Sequence, residues 1–266
     1  MLLGMVSSLA RAAYVATDYD VMGPSENYLG LSYSDLMQDW YDWLYSDDPD
    51  SRNDPQLFYL RGNVMGEKYD AAAYSLRSST TAVVEDLRTV QDRTELKGIT
   101  ITIDTALFFS VYDTLLVVDD VYKGKRLETT NDLRVSGRED FNHVSAIWAT
   151  IRKKGGTGWA RPTAIVPVLM DFYSESAPFI LAASAGNEIK REPKWYLAGP
   201  KQYTGVALGV FLLIKFKKTG TYRIDFGGIS PGDYFTRSIY DVTVEQGKQL
   251  GVNDISTKSP ALPPGL

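Results

Sequence analysis

Residues 219–244, Thr219-Gly-Thr-Tyr-Arg-Ile-Asp-Phe-Gly-Gly-Ile-Ser-Pro-Gly-Asp-Tyr-Phe-Thr-Arg-Ser-Ile-Tyr-Asp-Val-Thr-Val244, spell out two strands and the connection between them. Tyr222, Ile224 and Phe226 alternate with Thr221, Arg223 and Asp225, and Ile239, Asp241 and Thr243 alternate with Tyr240, Val242 and Val244. A period of two is that of a strand with one buried face. Gly227-Gly228 and Ser230-Pro231-Gly232 between them are turn chemistry. The chain is therefore built to make sheets, and this stretch shows no catalytic pattern.

Ahead of it, residues 1–30 read as an extended N-terminal arm punctuated by Gly23-Pro24 and Gly30. One helix follows, over about 32–46. Ser32 and Asp35 form a short acidic capping box, while Tyr33, Leu36, Met37, Trp40, Trp43 and Leu44 recur on one face. Asp35, Gln38, Asp39 and Asp42 take the other, and Pro49 lies beyond the stop. From Leu57 the pattern predicts strands over Leu57–Arg61, Gly98–Asp104, Ala106–Tyr112, Leu115–Asp119, Val144–Arg152, Thr163–Asp171, Ala177–Ala182 and Val206–Phe216, then the closing pair. A short inserted helix over about 130–140 interrupts them. Pro167 inside its strand demands an edge or a bulge, because its nitrogen cannot donate to a ladder.

Many strands separated by glycine, proline and asparagine turns point to a mainly β chain, an antiparallel jelly-roll-like sandwich. The expected organisation is an arm (1–30), one sandwich domain with its N-terminal helix (31–250), and an extended tail (251–266). Phe108, Val117, Ile147, Val168, Leu212, Ile224 and Val244 are expected in the core.

Length and composition bound the function. With 266 residues and 44% apolar content the chain can bury a full core as one domain. The absence of cysteine removes disulfides, thiolate nucleophiles and zinc–thiolate clusters. A net charge of −5 without a basic stripe argues against a nucleic-acid partner. Lys215-Phe-Lys-Lys218 and Arg152-Lys-Lys154 read as solvated strand ends. The apolar run Val206–Ile214 is too short to span a bilayer as a helix and reads as a buried strand, so no membrane partner is expected. The start, Met1-Leu-Leu-Gly-Met-Val-Ser-Ser-Leu-Ala10, is a poor signal peptide: it lacks a basic segment and two serines interrupt it.

Trp40-Tyr-Asp-Trp43, Leu57-Phe-Tyr-Leu-Arg-Gly62, Ile101-Thr-Ile-Asp-Thr-Ala-Leu-Phe-Phe109, Gly220 to Gly228, and Phe235 with Ile239-Tyr-Asp-Val-Thr-Val244 follow one another in a distinctive order. In that order the chain resembles a poorly characterised β-sandwich family found in secreted bacterial proteins and among virion structural proteins of marine tailed phages. The likeness touches most of residues 32–244 and consists of aromatic and glycine positions that build a core. Lacking cysteine and a good leader, this chain sits closer to the phage branch. The resemblance implies a non-enzymatic virion structural protein, a multi-copy head, collar or tail component assembled in the host cytoplasm. Its expected partners are copies of itself and other virion proteins. An exported ligand- or glycan-binding module is the alternative, and a sandwich-fold glycoside hydrolase the third reading.

The chemistry-bearing residues fit that expectation. His143 is the only histidine and reads as structural or surface. A serine triad would need it as base, but no Gly-x-Ser-x-Gly elbow presents a nucleophile. Asp47-Asp-Pro-Asp-Ser-Arg-Asn-Asp54 is rich in oxygen ligands. Aligned as a calcium loop from Asp48, however, it has Arg52 at the fifth position, lacks the glycine at the sixth and ends on Tyr59. Asp225 with Asp241, or Asp171 with Glu175, are carboxylate pairs a hydrolase could use, yet spacing singles out neither. Lys153-Lys-Gly-Gly-Thr-Gly158 reads as a hairpin and not a phosphate loop. Trp40 and Trp43 read as core. Trp148 and Trp195 are uncommitted, and Trp159, beside Gly158 and Arg161, is core or an exposed sticky ring. No catalytic, cofactor or metal residue is assigned. The one expected contact surface is apolar, Leu2, Leu3, Met5, Val6 and Leu9 of the arm, read as binding a neighbouring subunit.

Overall fold

A continuous apolar run such as Val206-Ala-Leu-Gly-Val-Phe-Leu-Leu-Ile214 is stable only where both faces of its strand are covered, and the fold is organised around that requirement. The computed structural model describes residues 14–44, 56–60, 64–65, 96–119, 121–183, 201–230 and 234–247. In chain order the elements are β1 (Tyr14–Val15), β2 (Tyr19–Met22), α1 (Tyr33–Leu44), β3 (Leu57–Tyr59), β4 (Val64–Met65), β5 (Leu96–Thr102) and β6 (Ala106–Val117). There follow β7 (Val121–Tyr122), β8 (Lys125–Arg126), α2 (Thr130–Asn142), β9 (Ala146–Gly155), β10 (Gly158–Trp159) and β11 (Thr163–Ala164). The last are β12 (Tyr173–Glu175), β13 (Phe179–Ala183), β14 (Lys201–Phe216), β15 (Gly220–Ser230) and β16 (Tyr234–Glu245).

Among the described residues these strands form two seven-stranded sheets and the small β7–β8 ribbon. The first sheet runs β1-β2-β14-β6-β3. One edge of β14 pairs with β6 along its length, and the other is shared by β13, β12 and β2 in turn. The second sheet runs β10-β9-β15-β16, with β11 on β9 and with β4 and β5 on β16. Both sheets are mixed, which corrects the expectation of a wholly antiparallel sandwich: β3 runs parallel to β6, and β5 parallel to β16. Each parallel pair joins a strand to one far along the chain or across a crossover, pairings that local patterns do not encode.

The alternation of β14 divides the molecule into layers. Val210, Leu212, Ile214 and Phe216 join Ile151, Tyr222, Ile224, Phe226, Tyr240, Val242 and Val244 of the second sheet in one apolar cluster, so the sheets pack face to face. Phe109 and Phe226 meet there with ring centroids 4.5 Å apart. The intervening Ala207, Phe211 and Leu213 point the opposite way, onto the Leu36, Met37, Trp40 and Trp43 stripe of α1. Val206 and Leu208, beyond the reach of the second sheet, are covered by Leu133 of α2 and by Leu127. Each such side chain contributes on the order of 1.5–3 kcal/mol by leaving water.

Both helices start as the sequence predicts. Asp35 accepts from the Ser32 backbone N–H at 2.8 Å, and its own N–H donates to the Ser32 hydroxyl. Thr129 and Asp132 form the same reciprocal box ahead of α2. The expected end of the first helix near 46 lies outside the described residues.

Several expectations change. Residues 14–22, read as part of the arm, hold β1 and β2. Val21 is fully buried, and the Tyr19 hydroxyl donates to the Ile165 carbonyl at 3.0 Å. The strands expected over Ala106–Tyr112 and Leu115–Asp119 are one strand, β6, with a bulge where Val210 opposes Tyr112 and Phe211 opposes Ser110. That extra residue reverses the facing, so Val111 and Tyr112 both enter the inter-sheet cluster while Asp113 turns toward α1. The strand expected over Thr163–Asp171 shrinks to β11, because the chain bends before Pro167 and runs into a 3-10 turn at Leu169–Phe172. Val168 is consequently 51% exposed and not core, Phe172 fills the interior instead, and Ile147 is half-buried. Phe108, Val117, Leu212, Ile224 and Val244 are buried as expected.

Candidate functional site

Alternation along β9 and β15 decides which side chains the second sheet presents outward. Ile151, Tyr222 and Ile224 face the core, so Arg152, Lys154 and Arg223 stand on the outer surface. The registers place Arg223 directly opposite Arg152 on one side and Asp241 on the other, and Trp159 opposite Lys154. The Trp159 ring is the centre of this group. The Arg223 guanidinium lies 4.4 Å from its centroid, that of Arg152 5.7 Å, and the Lys154 ammonium 5.9 Å. Cations over an indole face are attracted by its quadrupole. Trp159 is half-buried and Lys154 exposed, so the group is open to solvent.

Two arginines directly opposite each other on adjacent strands are an unfavourable cross-strand pair. Asp241 offsets part of this by accepting from Arg223 Nε and Nη2, at 2.5 and 2.7 Å. Next to Asp241 across the strand pair stands Gly98, with open space where a side chain would be. The result is a group of cations centred on an aromatic ring, on a protein of net charge −5.

Further along the same face Asp225 accepts from Arg237 Nε and Nη2, at 3.0 and 2.6 Å, and from the Trp148 indole at 3.1 Å. Gly227 makes room for that ring, since a Cβ there would come within 2.9 Å of Trp148 Cζ2.

No family model matches the chain, and neither a curated protein nor a solved structure does.

The other residues that the sequence singles out are dispersed. Asp225 and Asp241 share a face, but each is occupied by its own guanidinium. Glu175 turns to Arg138, 2.6 Å away, whose charge holds its carboxyl below the usual range, while Asp171 lies exposed in the 3-10 turn. His143 caps the C-terminus of α2 and is exposed. Gly155 and Gly158 pair across the β9–β10 turn, so Lys153–Gly158 is a hairpin. Trp40 and Trp43 are buried, with the Trp40 indole donating to the Leu60 carbonyl at 3.0 Å. Leu2, Leu3, Met5, Val6, Leu9, Trp195 and the acidic run 47–54 lie outside the described residues. Among those described, no group of three or more His, Asp or Glu is placed to hold a metal, and no helix is long and apolar enough to cross a membrane.

Asp113 is a site that sequence reasoning missed, having read it as the break between two strands. Its carboxylate accepts from the Ser110 and Tyr41 hydroxyls beneath α1. Although the residue as a whole is partly exposed, its carboxyl end is enclosed; desolvation raises its pKa, against the two hydrogen bonds that lower it. A raised pKa means that the folded state holds this proton more tightly than the unfolded chain. The contribution to stability is therefore complete below the unfolded value near 4 and is lost as pH rises through the folded one. The stability of Asp113→Asn relative to the parent is expected to improve between about pH 4 and pH 7. Chemical denaturation at both pH values measures this, and parallel pH profiles would show that the carboxylate is well solvated.

Proposed function

We propose that this chain is a non-enzymatic structural component of a phage virion, present in many copies in a head, collar or tail, on a jelly-roll-like variant of the sandwich. One observation carries the reading. Three of the four carboxylates that could serve a hydrolase are used as cross-links, Asp225 to Arg237 and Trp148, Asp241 to Arg223, Glu175 to Arg138 and Tyr173, and the fourth, Asp171, is exposed in the 3-10 turn away from Asp225 and Asp241. Bidentate guanidinium pairs of this kind tie strand to strand and helix to sheet, and they occupy the oxygens that general acid–base work would need. The resemblance of residues 32–244 to virion proteins and the apolar arm segment Leu2, Leu3, Met5, Val6 and Leu9 support the same reading. In it the arm binds a neighbouring copy.

The half-exposed Trp159 favours a second reading, a glycan-binding module. A sugar platform ordinarily offers an open aromatic face, whereas this ring is hemmed by three cations, so the first reading is preferred. Sedimentation velocity and electron microscopy of the purified protein test the proposal. A ring, shell or filament of defined symmetry is expected, and a chain that stays monomeric at high concentration would overturn it.

A further inference from the structure

One edge of the first sheet is covered along only part of its length. β2, β12 and β13 lie end to end against β14 and all run antiparallel to it: β2 on Leu213–Phe216, β12 on Leu208–Val210, β13 on Lys201–Gly205. β1 pairs with the outside of β2, but among the described residues no strand pairs with the outer edge of β12 or β13. Phe179 and Leu181 of β13 join the α1 cluster, while Ile180 points the other way and is 50% exposed. An open edge that carries an exposed β-branched side chain is a template for another strand.

Register shows which segment fits it. Through Val21 and Asp20, Tyr14 stands in line with Ile214 and Val15 with Lys215, so β1 runs in the same direction as β14. Carried back in that register, Met5 falls in line with Gly205 and Met1 with Lys201, the two ends of the segment that β13 pairs with. The arm therefore has the direction and the length to line β13, with Met5 opposite Phe179, Gly4 opposite Ile180 and Leu3 opposite Leu181. Its pattern matches too. Leu3 and Met5 come to the side on which Phe179 and Leu181 meet α1, and Leu2 and Val6 come diagonally to the side of Ile180.

We infer that the arm of one copy adds as a strand to the β13 edge of a neighbouring copy. The inference rests on the multi-copy reading and names where the arm docks. An edge that fits its own chain's arm fits the identical arm of a second copy, and exchange of such an element joins protomers with no new surface required. Folded back on its own edge, the arm would leave the row of Leu2, Val6 and Ile180 turned to water; in the exchanged form the donating copy covers it. Backbone hydrogen bonds along β13 supply the attachment, and the apolar rows on both sides set the register.

Cysteine cross-linking tests this on the full chain, which has no cysteine of its own. Opposite residues of an antiparallel pair stand about 4.5–5.5 Å apart at Cα, within reach of a disulfide. A Gly4→Cys chain and an Ile180→Cys chain are mixed dilute, concentrated to assemble and oxidised. A covalent pair containing one of each is expected, and it should be lost when either cysteine is omitted or when free peptide of residues 1–13 is added in excess. Thermal melts confirm that the variants are folded; should Ile180→Cys unfold, Leu2→Cys with Ala182→Cys is read in the same way. A Gly4→Cys/Ile180→Cys double variant that closes its disulfide within one chain of the assembled protein would overturn the exchange and return the arm to its own sheet. An assembly in which neither pair of cysteines cross-links would overturn the docking site and leave the multi-copy reading standing. A parent that stays monomeric at high concentration would overturn that reading and the exchange with it.

Discussion

A chain that begins at Gly23 is expected not to fold, whereas one that begins at Ala13 is expected to melt cooperatively but to assemble less well than the parent. The difference lies in residues 14–22. β2 pairs with Leu213–Phe216 of β14 and closes that part of its edge. Its removal exposes the surfaces that Tyr19 and Val21 cover, each side chain contributing on the order of 1.5–3 kcal/mol. It also removes the Tyr19 hydrogen bond to Ile165 and the ion pairs of Asp18 with Lys153 and Lys218 and of Asp20 with Lys217. Together these approach the whole stability of a typical domain, about 5–15 kcal/mol. Circular dichroism melts separate the two truncations, and sedimentation of the longer one reads the arm. A folded chain starting at Gly23 would mean that β14 tolerates an open edge. Assembly undiminished from Ala13 would mean that Leu2, Leu3, Met5, Val6 and Leu9 are not a contact.

Gly209→Ala should destabilise the protein by about 3 kcal/mol. Gly209 faces Asp113 at the bulge of β6, and a Cβ placed on it would lie 2.6 Å from the Asp113 Cα and against the Tyr112 carbonyl. These are backbone atoms, so no rotamer change can relieve the clash; β6 and β14 would have to separate. Their separation would pull Asp113 from Tyr41 and loosen α1 on its sheet. Urea denaturation measures the loss. Gly205→Ala on the same strand meets only ordinary contacts, near 3.4 Å, and serves as the mild comparison. Equal stabilities for the two variants would show that the bulge is not tightly closed.

What the sequence made legible follows from the range of the interactions involved. The closing strands appeared, β15 paired with β16 from Gly220 with Val244 to Ser230 with Tyr234, because a period of two is a local signal, but Gly227 and Gly228, read as turn residues, lie inside β15 opposite Arg237 and Thr236. The capping box at Ser32 is local too, and the matching box at Thr129 could have been read the same way. The strand pattern breaks at Asp113-Thr114, which divided β6 into two expected strands, and only the partner strand reveals the bulge. β1 and β2 escaped notice because two- and four-residue strands carry too little pattern. Arg152-Lys-Lys154 reads as a solvated strand end until β15 is laid beside it, and Trp159 commits to neither core nor surface until it is placed opposite Lys154. The charged patch is thus a product of register, which joins residues some 70 positions apart in the pairing of Arg152 with Arg223.

The segmented edge of β14 also governs when the protein can fold as it is made. β2, β6, β12 and β13 all wait for one strand, residues 201–216, before the first sheet has its centre. β5 waits longer still, for residues 239–245. Most of the chain therefore leaves the ribosome before its principal partner strand exists, with the tryptophans of α1 among the first apolar groups to emerge. Such a topology folds slowly and late, and its nascent form must be kept from its neighbours until the last fifth of the polypeptide arrives.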